Sequence, residues 1–211
     1  MTRVLIIGAS SGIGLETVRL ALSKGYDVRA FSRSAKNIPL SHPALEKFTA
    51  DATKSDNLEK AIVGVDVVIQ TLGVKLNELF RPVHLFSKST KALIPIMQAR
   101  GVKRLICVTG FGSGDCGSAI NAFERLPFNF FLGQAYQDKS RQEDLIRQSD
   151  LDWTIARPGI LTGGRRTGRY KVICERSKWR NGFISRADVA DFLVKQITDT
   201  SHIHLAPVLV N

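Results

Sequence analysis

The amino-acid sequence predicts an α/β fold in which helices cover both faces of a mostly parallel sheet, an arrangement called doubly wound. Short runs of consecutive apolar, often β-branched residues recur along the chain, and a helix-like stretch follows each one. Consecutive rather than alternating apolar residues are typical of strands that are buried on both faces. The runs are Val4–Ile7, Val28–Phe31, Val65–Thr71, Arg104–Thr109 and Trp153–Ala156. A chain of 211 residues without an internal linker is expected to form one domain, residues 1–211.

Two of the intervening helices can be bounded from the sequence. The first should run over residues 13–24, with Gly25 just past its end as a C-terminal cap. Another should span residues 84–100, where Pro95 is expected to kink it and Gly101 to end it.

The stretch 111–134 has neither a clear strand pattern nor a clear helix pattern of apolar residues. It holds four glycines and an aromatic cluster at Phe128, Phe130 and Phe131. One interpretation is a loop over a binding cleft, because long irregular connections in compact domains are often functional. The alternative is a helix that buries an aromatic face.

Composition and charge narrow the classes of function. The formal net charge of +11, from 30 Lys+Arg against 19 Asp+Glu, favours an anionic ligand or partner. The densest basic stretch, Gly163–Lys171, is short and glycine-rich and lacks interleaved aromatic residues, so we expect it beside bound phosphates rather than on nucleic acid. No run of eighteen apolar residues offers a membrane span, and Val4–Ile7 is too short for a signal-peptide core. We therefore expect a cytoplasmic protein.

The cysteines and histidines predict neither disulfides nor a metal site. Cys107, Cys116 and Cys174 are odd in number and widely separated, so free thiols are expected. His202 and His204 form an H-x-H pair, but no cluster of cysteines or carboxylates accompanies them.

A glycine-rich turn follows the first predicted strand and leads directly into the first predicted helix. Without side-chain bulk, the backbone of such a turn can approach a pyrophosphate, whose charge then lies at the unsatisfied N–H groups of the helix. This context at the start of a βαβ series is that of a dinucleotide-binding Rossmann fold, and a purely structural turn is the alternative. The expected cofactor contacts are Gly8, Ser10, Ser11, Gly12, Ile13 and Gly14.

The spacing G-x-x-x-G-x-G resembles the short-chain dehydrogenase/reductase superfamily, and the resemblance continues along almost the whole chain. It implies that Asp51, with Ala52 beside it, contacts the adenine of the cofactor. It also implies that the segment with Leu72 and Gly73 lines the adenosine ribose, although a strand-ending turn is the other interpretation there.

The end of the second predicted strand favours NADP(H) over NAD(H). NAD-selective proteins carry an acidic residue there, roughly 20 residues past the glycine turn, which binds the ribose 2′-hydroxyl. This chain has Ser32, Arg33 and Ser34 instead. A guanidinium and two hydroxyls suit a 2′-phosphate, so we expect these residues to bind it; a solvent-facing arginine is the alternative.

The expected catalytic helix departs from the common pattern of the superfamily. Better-known members carry Tyr-x-x-x-Lys, in which the tyrosine exchanges a proton with the substrate. Lys139 and Glu143 match that helix here, but Ala135 occupies the tyrosine position and Tyr136 lies one residue later, about 100° around a helix. Thr109 could supply a hydroxyl in place of the family's serine. Thr109, Tyr136 and Lys139 are the candidate catalytic residues, and Thr109 and Lys139 are also candidate cofactor contacts. If the helix instead began after Tyr136, an irregular turn could return its hydroxyl to the site.

These departures resemble the atypical short-chain dehydrogenases, the NmrA-like and biliverdin-reductase-B-like proteins. Leu151–Gly159 resembles the sixth-strand signature of that group, in which Pro158 and Gly159 lie beside the nicotinamide. Phe183–Ala190 resembles the start of its later helix, where a Ser185 cap with Asp188 has a structural role.

The resemblance implies an NADP(H)-dependent oxidoreductase that passes hydride to a small quinone-, flavin- or carbonyl-like acceptor. Residues 111–134 and 159–183 are then expected to form the substrate or partner region. The alternative is a non-catalytic regulator that binds NADP(H) and controls a protein partner through residues 111–134.

Overall fold

The computed structural model describes residues 1–74, 83–119 and 122–211, and it describes the side chains of these residues except over 118–132. Within these ranges the main sheet has eight strands. They are β1 (Arg3–Ile7), β2 (Asp27–Ser32), β3 (Leu45–Thr49), β4 (Val67–Gln70), β5 (Arg104–Val108), β6 (Asp152–Pro158), β8 (Lys171–Ile173) and β10 (Val208–Val210). A separate pair is formed by β7 (Ile160–Thr162) and β9 (Phe183–Ser185).

The strand order in the main sheet is β3-β2-β1-β4-β5-β6-β10-β8, and the order reverses direction between β1 and β4. Pairing is parallel from β3 through β10, and β8 is antiparallel to β10. The predicted doubly wound, mostly parallel α/β fold is therefore confirmed. The crevice beside a reversal of strand order is the usual ligand site of open parallel sheets.

Helices pack on both faces of this sheet. They are α1 (Gly12–Ser23), α2 (Ser55–Ala61), α3 (Leu85–Ala99), α4 (Ala122–Arg147) and α5 (Arg186–Lys195). Along β1, Val4 and Ile6 join the hydrophobic core under α1 and α5, whereas Leu5 and Ile7 join the core under α2, α3 and α4. The alternation of side chains along a strand thus places apolar residues on both faces, which explains the continuous apolar runs in the sequence.

The two predicted helix ends are confirmed by their cap geometry. After α1, Gly25 has φ +82° and the N–H of Tyr26 donates to the carbonyl of Ala21. After α3, Gly101 has φ +70° and the N–H of Val102 donates to the carbonyl of Met97. Both are Schellman motifs, in which glycine adopts the left-handed conformation that ends the helix.

The loop interpretation of residues 111–134 is wrong over most of its length. A short 3₁₀ helix covers Gly114–Ala119, and α4 runs from Ala122 to Arg147 without a break at Tyr136. The helix alternative is correct for the backbone, while the expected aromatic face lies outside the described side chains. The second half of α4 packs on the sheet, and helix formation is cooperative, so the helix extends through residues whose local pattern looks irregular. An irregular turn at Tyr136 is likewise excluded.

Candidate functional site

A cavity of about 410 Å³ lies along the carboxyl ends of the parallel strands, where the strand order reverses. Most of the predicted site residues line it: Gly8, Ser10, Ser11, Gly12, Ile13, Ser32, Arg33, Ser34, Asp51, Ala52, Leu72, Gly73, Thr109, Lys139 and Pro158. Among the described residues, the predicted positions that do not line this cavity are Gly14, Tyr136 and Gly159. The site therefore joins segments from β1 through β6, although they are far apart in sequence.

The tight turn between β1 and α1 requires glycine at position 14. A Cβ added to Gly14 would lie 2.1 Å from the carbonyl oxygen of Gly8, so no side chain fits there. Gly12 has φ +55° and is exposed to the cavity, where an added Cβ would face the side chain of Arg186 at 4.0 Å. Gly14 thus shapes the turn from behind, whereas Gly12 leaves the backbone open to a ligand.

The N-terminus of α1 borders this cavity, because Ser11, Gly12 and Ile13 line it. Ser11 is the N-cap in extended conformation, its side chain makes no capping hydrogen bond, and the described first turn holds no acidic residue. The first N–H groups of a helix have no partner within the helix and carry partial positive charge. This end of the cavity is suited to an anion.

Cationic and hydroxyl groups lie at the end of β2. Arg33 and Ser34 are exposed, and the hydroxyl of buried Ser32 accepts a hydrogen bond from the N–H of Ser34 at 3.2 Å. Across the cavity, the carboxylate of Asp51 accepts from the N–H and the hydroxyl of Thr53, both at 2.9 Å. The backbone hydrogen bond from Thr53, with a contribution from the charge of Arg33, holds the pKa of Asp51 below its usual value.

Lys139 reaches the cavity from α4. Its Nζ donates to the carbonyl oxygen of Thr109 at 2.5 Å, and burial lowers its pKa to about 8. Two polar contacts fix this part of α4. Asp138 accepts from the N–H of Phe86 at the start of α3, at 2.8 Å, and the amide of Gln142 donates to the side chain of Gln70 in β4, also at 2.8 Å.

A buried ion pair ties α4 to β5 and β6. Glu143 and Arg157 are both fully buried, and the Nε of Arg157 donates to a Glu143 oxygen at 3.1 Å. The hydroxyl of Thr109 donates to the same Glu143 oxygen at 2.7 Å. Arg157 also pairs with Asp115, and Trp179 covers its guanidinium at 5.0 Å. Because the Thr109 hydroxyl hydrogen is directed at Glu143, the geometry does not favour Thr109 as a proton donor to a substrate.

Tyr136 does not line the cavity, although its ring lies next to Lys139, whose Nζ is 5.1 Å from the ring centroid. Its hydroxyl packs so closely on Gly110 that a Cβ there would lie 2.6 Å from the hydroxyl oxygen. Burial raises the pKa of Tyr136 to about 12, so the phenol stays protonated at neutral pH. Gly159 likewise faces the carbonyl of Gly182, not the cavity. The structure thus places Thr109 and Lys139 in the cavity lining and Tyr136 beside Lys139 but outside that lining.

The predicted cap of α5 is confirmed. The N–H of Asp188 donates to the Ser185 hydroxyl at 2.9 Å, and that hydroxyl donates to the Asp188 carboxylate at 2.8 Å. The same carboxylate accepts from the N–H groups of Thr167 and Gly168 at 2.7 and 2.8 Å. This anchors the basic stretch Gly163–Lys171 beside α5.

Several cavity residues were missed by the sequence analysis, and Arg186 at the start of α5 is the charged one among them. The only sequence signal was a cationic residue directly after the Ser185 cap. That capping pattern has a sufficient structural explanation on its own, so it gave no indication of a ligand.

Three further features of the described residues are the state of the cysteines, the grouping of possible metal ligands and the apolar character of the helices. The three cysteines are free, as predicted, with Cys107 and Cys116 buried and Cys174 exposed. Over this part of the chain, histidines, cysteines and carboxylates form no group of three or more suited to a metal ion. Nor does any helix there have the length and apolar character needed to cross a membrane.

Comparison with known proteins identifies related chains. A family model described as NAD(P)H-binding matches residues 8–200. A solved structure of ChuY, an anaerobillin reductase from Escherichia coli O157:H7, is 27% identical with a TM-score of 0.84 and covers 99% of this chain and 97% of its own. A short-chain dehydrogenase/reductase from Veillonella parvula, solved in complex with NADP, has a TM-score of 0.83 over 100% of this chain and 94% of its own. At 17% identity, it supports the fold alone.

Among curated proteins, a 3-beta-hydroxysteroid dehydrogenase from Mycolicibacterium neoaurum is 29% identical over 188 residues. The match covers 81% of this chain and 50% of that protein. This chain therefore spans only about half of that relative. These findings agree with the resemblance to the atypical short-chain dehydrogenases.

The buried ion pair makes a prediction about stability. We expect Glu143→Gln to lower the free energy of unfolding by about 3 kcal/mol, because removing one partner strands the buried charge of Arg157 while Asp115 compensates only partly. Urea denaturation measures the change. The matched control is Glu175→Gln, which removes one partner of the exposed pair with Lys178 and should leave stability unchanged within error. A Glu143→Gln protein as stable as the control would contradict the importance of the pair.

Proposed function

Since the chain belongs to the NAD(P)H-binding family, we propose that it is an NADP(H)-dependent oxidoreductase of the atypical short-chain type. In this proposal it passes hydride to a small quinone-, flavin- or carbonyl-like acceptor. The observation that carries the proposal is the cavity itself, in which the glycine turn, Arg33 and Lys139 meet at the carboxyl ends of parallel strands.

The residues present fit a dinucleotide. The bare backbone at Gly12 and the positive end of α1 form a cradle that a side chain would fill, which suits a pyrophosphate. In the proposal, further residues of the cavity lining would hold the rest of the cofactor. Ser32, Arg33 and Ser34 would hold the 2′-phosphate, Asp51 and Ala52 the adenine, Leu72 and Gly73 the adenosine ribose, Thr109 and Lys139 the nicotinamide ribose, and Pro158 the nicotinamide.

The preference for NADP(H) rests on the charges around Arg33. This guanidinium is exposed at the cavity and forms no ion pair with another described residue. The nearby carboxylate of Asp51 is engaged by Thr53. Asp27 lies at the opposite end of β2, where it cannot repel a 2′-phosphate. A guanidinium matches phosphate geometry and charge, so NADP(H) is the preferred cofactor in this proposal.

In the proposed mechanism, the cofactor and the protein have separate roles. The bound cofactor supplies the hydride at its nicotinamide, and the protein supplies orientation. Lys139 holds one N–H on the carbonyl of Thr109, which leaves its other N–H groups to orient the ribose. Because the Tyr136 hydroxyl packs on Gly110 outside the cavity lining and the Thr109 hydroxyl is bound to Glu143, we propose that any proton comes from solvent. Conjugated acceptors suit such a site, since they delocalise the charge that hydride transfer leaves on them.

A second function follows from the same displaced tyrosine. A protein without a positioned acid could bind NADP(H) without turnover and control a protein partner in response. Residues 111–134 and 159–183 are proposed as the substrate region of the enzyme or the partner surface of the regulator, within one domain over residues 1–211. Trp179 joins the second of these segments to the site through its contact with Arg157.

The two functions are separated by one pair of experiments. The enzyme should oxidise NADPH with at least one member of a panel of quinones, flavins and aldehydes. Anaerobillin belongs in the panel because a similar protein is described as an anaerobillin reductase. The regulator should oxidise NADPH with none of them and should capture a protein partner only with NADPH present, or only without it.

The cofactor preference predicts the behaviour of Arg33. We expect tighter binding of NADPH than of NADH by calorimetry. Arg33→Asp should weaken NADPH binding by about 1–3 kcal/mol, the range of a charged hydrogen bond. Lys36→Asp is the matched control, because Lys36 is exposed in the following 3₁₀ helix and does not line the cavity. Equal affinities of the unmodified protein for NADPH and NADH would contradict the proposed preference for NADP(H).

The position of Tyr136 predicts a contrast between two variants. Lys139→Ala should weaken NADPH binding, because it removes a donor at the proposed ribose position. Tyr136→Phe should leave NADPH affinity unchanged and cost far less than the 10²–10⁴-fold in kcat expected for loss of a general acid. Steady-state kinetics with the best acceptor measure both effects. A loss of a hundredfold or more in kcat for Tyr136→Phe, at unchanged affinity, would identify that tyrosine as the acid.

The lowered pKa of Lys139 predicts a pH dependence of NADPH binding. The amine is charged below its pKa of about 8 and neutral above it, and the charged form attracts an anionic cofactor more strongly. The Kd for NADPH should therefore rise several-fold between about pH 7 and about pH 9.5, a range in which the arginines stay charged. Lys139→Met should bind more weakly and show a flat profile. An identical slope in both proteins would assign the titration to another group.

A further inference from the structure

Arg186 is a charged residue of the cavity that belongs to none of the cofactor-binding motifs in the sequence. It is the first residue of α5, and it lines both the main cavity and an outer crevice that adjoins it. Its Cδ and Nε lie 4.0 Å from the position of a Cβ added to Gly12. The arginine side chain therefore lies over the start of α1, on the side of the turn that is open to a ligand.

The charge of Arg186 is not neutralised by the described part of the protein. No ion pair joins Arg186 to a carboxylate there, and Glu16, which lines the outer crevice, forms none with it. Arg166 of the same crevice differs, because its guanidinium pairs with Asp191 at 3.3 Å. The N-termini of α1 and α5 add partial positive charge at Gly12 and at Arg186. The space between the start of α1 and the Arg186 side chain therefore suits an anion that contacts both.

The backbone at Arg186 is held in place before any ligand arrives. The preceding residue, Ser185, is the α5 cap, and its hydroxyl exchanges hydrogen bonds with Asp188. The Asp188 carboxylate also binds the N–H groups of Thr167 and Gly168. These contacts fix the start of α5 relative to the basic stretch, so binding an anion at Arg186 requires no reordering of the backbone.

We propose that Arg186 binds the pyrophosphate of the cofactor from the side opposite the α1 N-terminus. The inference rests on the proposed cofactor site, and its ligand class is any molecule that carries a nucleoside diphosphate. Gly12 then leaves the backbone of the turn open to the diphosphate on the side where Arg186 lies. The diphosphate is held between a helix end and a guanidinium.

Calorimetry with three probes tests the inference. NADPH and ADP-ribose both carry the diphosphate, whereas adenosine 2′-monophosphate carries only the 2′-phosphate. Arg186→Met should weaken NADPH and ADP-ribose by about 10- to 100-fold, the loss typical of a charge-assisted hydrogen bond, and should leave adenosine 2′-monophosphate unchanged. Arg186→Lys should recover part of the loss. A circular-dichroism melt confirms that each variant is folded.

The matched control is Arg165→Met, which removes the same charge from the outer crevice without touching the main cavity. The inference is overturned if Arg186→Met binds ADP-ribose within twofold of the unmodified protein. It is also overturned if Arg165→Met loses as much affinity, because the effect would then be the general field of the basic surface. Failure of the unmodified protein to bind any of the three probes would instead overturn the proposed cofactor site.

Discussion

The buried contact of Glu143 with Arg157 and Thr109 is the constraint on which the site depends. Two fully buried charges are tolerated only when they are paired and hydrogen-bonded, so α4 can dock on the sheet in one register. That register directs Lys139 into the cavity and holds its amine on the carbonyl of Thr109. It also rotates Tyr136 toward Gly110. The buried pair, together with the contacts of Asp138 and Gln142, thus sets which side chains of α4 can meet a ligand.

The opposite layer of the fold supplies the other half of the cavity. Helices α1 and α5 pack in the core on the far side of the sheet from α4, and their N-termini bring Gly12 and Arg186 to the carboxyl edge of the strands. Lys139 and Arg186 therefore reach the cavity from opposite faces of the sheet. Such convergence requires parallel strands with helices on both sides, which is why a doubly wound fold is suited to a ligand as long as a dinucleotide.

Most of the fold and much of the candidate site were predictable because their causes are local. Continuous apolar runs indicate buried strands, glycines end helices, and the Lys139–Glu143 spacing puts Ala135 rather than Tyr136 four residues before Lys139. What local pattern could not predict depends on tertiary contacts. Helix α4 extends through a glycine- and aromatic-rich stretch, β7 to β10 are three residues each, and Arg186 meets Gly12 only because α1 and α5 pack together.

An NMR titration of ¹⁵N-labelled protein with NADPH tests whether this cavity binds the cofactor. The largest amide shifts should fall on Gly12, Ile13, Arg33 and Arg186, which line the cavity at the carboxyl ends of the strands. Amides at the opposite edge, such as Arg3, whose N–H donates to Asp66, should not move. Shifts confined to that opposite edge, or no shifts at saturating NADPH, would contradict the central claim that this cavity binds the cofactor.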